Sequence, residues 1–192
     1  MLSGMYLTMS PLIAGGVANM LFTKTRLYKK HKKPIDAGRN WKDGQRRLGD
    51  NKTWIGFVSM IIFCTIFQII CGWVCNRLSL NGMNDLYRSH PNTVLFNALF
   101  GAVVGFVYML CELPNSFLKR RIRIEPGRTG KGPAGILFFM IDQIDSLVGV
   151  MLILLLVANI SVQKYFAYVL VGALTHIGIN LLLFAVKVRK YI

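Results

Sequence analysis

The run FFMIDQIDSLVGVMLILLL, residues 138–156, decides the fold. It is apolar over the length of a membrane-spanning helix. About 20 residues at 1.5 Å rise cross a hydrocarbon core about 30 Å thick. Yet it carries two carboxylates, Asp142 and Asp145. One ionised carboxylate at the centre of a bilayer costs roughly 2.5–3.5 kcal/mol on insertion scales. Two of them, three residues apart, fall on one helix face and repel each other when ionised.

Outward from this stretch, the chain resolves into five apolar blocks: 2–23, 54–75, 93–112, 134–159 and 165–186. The first block has no basic residues before it, so it predicts a retained span rather than a cleaved leader. Of 23 Lys and Arg, eleven lie in 24–53, six in 113–133 and three in the tail, at Lys187, Arg189 and Lys190. Only Arg77, Arg88 and Lys164 fall on the other side. Five spans with the N-terminus outside put all three basic segments in the cytoplasm, as the positive-inside rule requires. The reading is an all-α integral membrane protein of one domain, residues 1–192. It has five transmembrane helices, cytoplasmic loops 24–53 and 113–133, and a cytoplasmic C-terminus.

The net charge of +15 therefore sets topology and attracts anionic headgroups, about 1 kcal/mol per near-surface cation. It is not read as a nucleic-acid footprint. The excess in 24–53 suits an anionic substrate arriving from the cytoplasm. The four cysteines, Cys64, Cys71, Cys75 and Cys111, all lie in spans with no neighbouring His or third thiol, and read as packing residues. The outside segments 76–92 and 160–164 look chemically plain, and His31 and His90 read as surface loop residues.

Small and polar residues form a stripe on most spans. These are Pro11, Gly15, Ala18 and Asn19; then Asn97, Gly101, Gly105, Tyr108 and Glu112; then Asp142, Asp145, Ser146 and Gly149; and finally Gly172, His176 and Asn180. Gly101 and Gly105 form a GxxxG pair, which allows close helix approach. Together the stripes predict a bundle with a polar interior.

Two explanations fit the aspartate pair. Protonation would remove the charge, and a divalent cation would remove both repulsion and burial cost. No Lys or Arg lies inside a predicted span, so a structural ion pair is not expected. Before this span comes LPNSFLKRRIRIEPGRTGKGPAG (113–135), basic and glycine-rich. Arg forks and glycine-rich backbone suit phosphate. The loop and the carboxylates together have the parts to hold Mg²⁺ and a polyphosphate. A second loop, DAGRNWKDGQRRLGDNKTWIG (36–56), offers Lys52 to phosphate and Trp41 to stack a base.

Three runs carry a resemblance. GDNKTW (49–54), ELPNSFLKRR (112–121) and DQID (142–145) strongly resemble the CDP-archaeol synthase family, which is similar in turn to phosphatidate cytidylyltransferases. THIGIN (175–180) and Asn19 also resemble the family's last and first spans. The wider signature's KR pair, Pro/Gly stretch and DRxD match Lys119–Arg120, the loop around Pro126 and Pro133, and Asp142–Gln143–Ile144–Asp145. Asn51 replaces the usual middle glycine of GDGKTW, and PGHGG is shortened to GPAG (132–135).

The resemblance implies transfer of CMP from CTP to a lipid phosphate, with Mg²⁺ as cofactor. The lipid phosphate is of the archaeal ether type or phosphatidic acid. The resemblance also implies catalytic roles for Asp142, Asp145, Lys119 and Arg120, with the two aspartates on metal. Substrate-binding roles follow for Asp50, Lys52, Thr53, Asn115, Arg121, Asn19, His176 and Asn180. CTP, the lipid phosphate and the bilayer are the expected partners, a homo-oligomer is compatible with them, and the cell membrane is the expected location. An alternative from the residues alone is a small cation or proton transporter with Asp142, Asp145 and His176 as its relay. A non-catalytic lipid-binding scaffold would leave the aspartates unexplained.

Overall fold

A computed structural model describes residues 2–128, 130 and 132–185. Lys131, Lys187, Arg189 and Lys190 lie outside the described residues. Among the described residues, seven α-helices and one 3₁₀ turn follow in order. These are α1 (Leu2–Phe22), α2 (Arg26–His31), α3 (Trp54–Arg77), the 3₁₀ turn Asn81–Met83, α4 (Asp85–Ser89), α5 (Val94–Arg121), α6 (Gly132–Ala158) and α7 (Val162–Ala185). The five long helices α1, α3, α5, α6 and α7 are apolar enough to cross a membrane.

Polar side chains start the helices. Thr25, Thr53 and Thr93 accept from backbone N–H groups in the first turns of α2, α3 and α5. Such caps satisfy donors that the helix leaves orphaned. Exposed apolar residues run down the outer faces, as Ile62, Ile66 and Ile70 do on α3 and Leu95, Leu99 and Val103 on α5. In water these would be unfavourable, and against lipid they are at home.

Inside, α3 lies between α1 and α5, and α6 between α5 and α7. Gly101 and Gly105 set the α3–α5 approach. A Cβ at either would stand 2.7 Å from the backbone of α3, at Thr65 or Ile61. The GxxxG reading is thus realised as direct backbone contact.

The segment 113–133 is not the loop that the sequence suggested. Helix α5 continues through Pro114 to Arg121, 28 residues in all. Pro114 cannot donate to the carbonyl one turn back, yet the helix passes through it. Glu112, Asn115, Ser116 and Lys119 then recur at helical spacing on one face.

The segment 76–92 is not plain either. It folds back into the bundle, burying Asn84 and Asp85. The Asp85 carboxylate accepts from Lys164 at 2.7 Å, Arg88 at 3.3 Å and Tyr168 at 2.5 Å. His90 donates to the Val157 carbonyl at 2.7 Å and stacks on Phe96, so it is tied down rather than a free surface residue. His31 closes the short helix α2.

Candidate active site

The basic end of the bundle holds a polar cavity of about 200 Å³. Four segments bring their charge to it, Arg128 coming from the stretch after α5. From α6 come Asp142 and Asp145, from α5 come Glu112, Asn115, Lys119 and Arg120, and from the loop before α3 comes Lys52. His176 and Asn180 of α7 complete the wall.

Asn115 ties the two aspartates together. Its Nδ2 donates to Asp142 Oδ1 and to Asp145 Oδ2, each at 2.7 Å. Lys119 donates to the other oxygen of Asp142 and Lys52 donates to Glu112. The expectation that no cation would pair with the aspartates is therefore corrected. Because α5 extends past residue 112, Lys119 is delivered to Asp142 from within the same helix bundle.

Not every polar atom here is satisfied. Asn115 Oδ1, Arg120 Nη1 and Asn180 Oδ1 are buried without hydrogen-bond partners among the described residues. Buried polar groups are rarely left this way, and each exception calls for a reason. An orphaned acceptor beside two carboxylates is a spare oxygen donor for a cation. An orphaned guanidinium nitrogen is spare capacity for an anion. No group of three or more His, Cys, Asp or Glu able to hold a metal is gathered among the described residues. Two carboxylates and an amide oxygen nevertheless fit Mg²⁺, which commonly takes one or two carboxylates and completes its shell with water and substrate phosphates.

Around the cavity, the loop 34–53 is built on Asp36. Its buried carboxylate accepts from the N–H groups of Gly38, Leu48 and Gly49 and forms an ion pair with Arg46 at 2.7 Å. Burial works against the charge, but Arg46 and the three amides hold the Asp36 carboxyl well below the usual carboxylate range. Arg121 clamps the same loop, donating to Asp43 and to the Arg46 carbonyl, each at 2.5 Å. Pro126 of the 122–131 loop lies against Gly49.

Some expected substrate residues face elsewhere. Thr53 is buried as the cap of α3, with its hydroxyl against Tyr28. Asp50 pairs with Arg46 on the surface, and Arg121 is the loop clamp. Asn19 accepts from Ser59 at 2.6 Å. Trp41 packs edge-on against Phe117 with Arg47 over its ring, so that face is not open for a base. Sequence reasoning missed Ser116 as a lining residue, and it saw Tyr108 only as part of a stripe and Gln143 only within the DQID run. It saw Glu112 only as part of a stripe. The helical spacing of Glu112, Ser116 and Lys119 was the signal that could have found them.

A second, narrow and mostly apolar slot runs between α1 and α7, lined by Leu12, Ile13, Gly16, Val17 and Ile179 among others. Met20, Tyr108, His176 and Asn180 line both spaces. The polar cavity and the apolar slot therefore lie side by side.

A model of the CDP-archaeol synthase family, described as CarS-like, matches residues 15–191. The chain belongs to the CDP-archaeol synthase family. Among named CDP-archaeol synthases, that of Thermococcus kodakarensis is 30% identical over 77% of this chain and 75% of its own length. That of Pyrobaculum arsenaticum is 29% identical over 94% and 91%. The Methanospirillum hungatei protein is 34% identical, over 64% of this chain and just 63% of its own. The fold matches a solved structure described as an intramembrane enzyme for archaeal membrane lipids biosynthesis, with a TM-score of 0.62, 19% identity and 92% of each chain covered. The CDP-archaeol synthase family is one of membrane-embedded cytidylyltransferases that make CDP-activated lipid. That membership leaves the transporter alternative without support.

Proposed function

We propose that the chain transfers CMP from CTP to a lipid phosphate, releasing pyrophosphate and leaving a CDP-activated lipid. An ether lipid phosphate of the archaeal type is the favoured acceptor. One observation carries this reading: a cationic and carboxylate-lined cavity shares four lining residues with an apolar slot between two spans. Such a junction suits two substrates of opposite character, one from water and one from the bilayer.

Nucleotidyl transfer needs positioning and charge neutralisation more than a protein nucleophile. The lipid phosphate is ionised at neutral pH and serves as its own nucleophile, so no side chain must remove a proton. Its oxygen bonds to the α-phosphorus of CTP as the bond to the pyrophosphate oxygen breaks. Lys52, Lys119 and Arg120 meet the triphosphate, with Arg120 Nη1 the buried donor that lacks a partner. Asp142 and Asp145, with the Asn115 oxygen, would hold Mg²⁺. Held there, it would supply charge neutralisation for the triphosphate and Lewis-acid polarisation of a phosphoryl oxygen. Leu12, Ile13 and Val17 line the slot that takes the lipid chains. The basic end faces the cytoplasm of the cell membrane in this reading.

The test incubates membranes containing the chain with labelled CTP, Mg²⁺ and either phosphatidic acid or an archaeal ether lipid phosphate. CDP-lipid should form with the ether lipid and vanish in Asp145→Asn. Full activity in that variant, or none with either lipid, would overturn the proposal.

A further inference from the structure

The cations of the basic end differ in whether a carboxylate faces them. Arg46, Lys52, Lys119 and Arg121 each sit on a carboxylate. Lys24, Arg26, Lys29, Lys30, Lys32 and Lys33 do not: all six are exposed, and none forms an ion pair among the described residues. No acid occurs between residues 24 and 35. These six occupy one short strap, α2 and its flanks, while Arg39, Lys42, Arg47 and Arg123, also exposed and without an ion pair among the described residues, lie scattered outside it.

That strap is fixed rather than trailing. Tyr28 is buried, its hydroxyl 2.8 Å from Thr53 and its ring edge-on to Phe22. The Lys33 carbonyl accepts from Trp54 N–H at 3.1 Å, and Ile35 N–H donates to the Lys52 carbonyl at 2.8 Å. Trp54, at the first turn of α3, is 56% exposed, and Leu27 within the strap is 57% exposed. Exposed tryptophan at the end of a spanning helix marks the headgroup level. The backbone pairing therefore holds the six cations at headgroup depth. The strap also begins where α1 ends, and α1 is one wall of the slot, with Met20 near its end lining slot and cavity alike.

We propose that residues 24–33 form a binding surface for anionic lipid headgroups at the mouth of the slot, which gathers the lipid phosphate before it reaches the cavity. The binding surface stands on charge and position alone. Its role in gathering substrate rests on the reaction proposed above. Lysine ammoniums suit this task because they are hydrated point charges that meet headgroups without fixed geometry. Each near-surface cation strengthens attraction to an anionic leaflet by about fivefold. Salt weakens the effect, since the screening length is about 10 Å at 0.1 M.

The test compares the full chain with a variant carrying Lys29→Gln, Lys30→Gln, Lys32→Gln and Lys33→Gln together. A second variant carries Arg at the same four positions. Lipid retention is read by native mass spectrometry of detergent-purified protein with phosphatidic acid, phosphatidylcholine or inorganic phosphate. The native chain and the Arg variant should retain phosphatidic acid over phosphatidylcholine. The Gln variant should lose at least about tenfold in apparent affinity for phosphatidic acid, four fivefold factors setting an upper bound of about 600-fold. Millimolar inorganic phosphate should not displace the lipid, which separates a membrane source from a soluble one. Equal retention by native and Gln chains would overturn the binding surface, as would full displacement by inorganic phosphate.

The gathering role has its own readout, the KM for lipid phosphate in vesicles. It should rise about tenfold in the Gln variant with the KM for CTP unchanged. A rise for CTP alone would assign the strap to the nucleotide and overturn that role. Absence of any turnover would fail the proposed reaction while leaving the retention result intact.

Discussion

The two ends of the bundle each set a carboxylate against a lysine, and they do so to opposite effect. At the far end, Asp85 is 4% exposed and meets Lys164, Arg88 and Tyr168. Its own backbone N–H donates to Thr8. Three donors converge on one carboxylate, and neither the polar cavity nor the apolar slot includes it. At the basic end, Asp142 meets Lys119 and Asn115, but the surroundings keep spare capacity in Asn115 Oδ1 and Arg120 Nη1. A closed network holds structure together. An open one of the same chemistry stands ready for a ligand, and the difference lies in what is left unsatisfied.

The comparison breaks most sharply at the lysines and aspartates themselves. Lys119→Met should lower cytidylyl transfer about 100-fold or more, the scale of losing one preorganised charge contact. Its thermal stability in detergent should move by less than about 1 kcal/mol, because Asp142 is partly open to solvent and such pairs contribute little to folding. Stability loss without activity loss would reverse the assignment of the two ends. Asp85→Asn should do the opposite. Removing one member of a buried pair costs about 3 kcal/mol or more, seen as a lower unfolding midpoint, while the folded fraction keeps its turnover per molecule.

Asp36→Asn should have a smaller, pH-dependent effect. Its folded-state carboxyl titrates well below the ordinary 3.8 of a free aspartate. The stability it contributes is thus present above that value and lost as pH falls through the folded value. The native loop should resist limited proteolysis at residues 38–48 from neutral pH down to the ordinary carboxylate range. The Asn variant should be cut already at neutral pH, and equal resistance in both would remove Asp36 as the organiser. Least affected should be Arg88→Gln. Arg88 is 57% exposed in its side chain, so its pair with Asp85 should shift the midpoint by the equivalent of under about 1 kcal/mol.

The spans were readable because lipid selects long apolar runs, and Asp142 and Asp145 stood out against one. The helical course of residues 113–121 was not, since Pro114 and three consecutive cations imitate a loop. Only packing against α6 shows why the helix continues: Asn115 and Lys119 reach the aspartates together. The Asp36 loop was illegible for another reason. Its order comes from amides twelve and thirteen residues away converging on one carboxylate, which no local pattern encodes. The Asp85–Lys164 pair spans 79 residues and left no trace in either of the segments it joins.

The length of α5 also works as a ruler. Lys119 stands 25 residues along the helix from Val94, or about 37 Å at 1.5 Å per residue. A common tilt of about 20° shortens that by only about 2 Å. The hydrocarbon layer is about 30 Å thick. If Val94 marks one face of that layer, Lys119 emerges beyond the other, and Asp142, in contact with it, sits at the same height. The carboxylate that looked stranded in oil by its place in the sequence is, by this measure, moored at the shoreline.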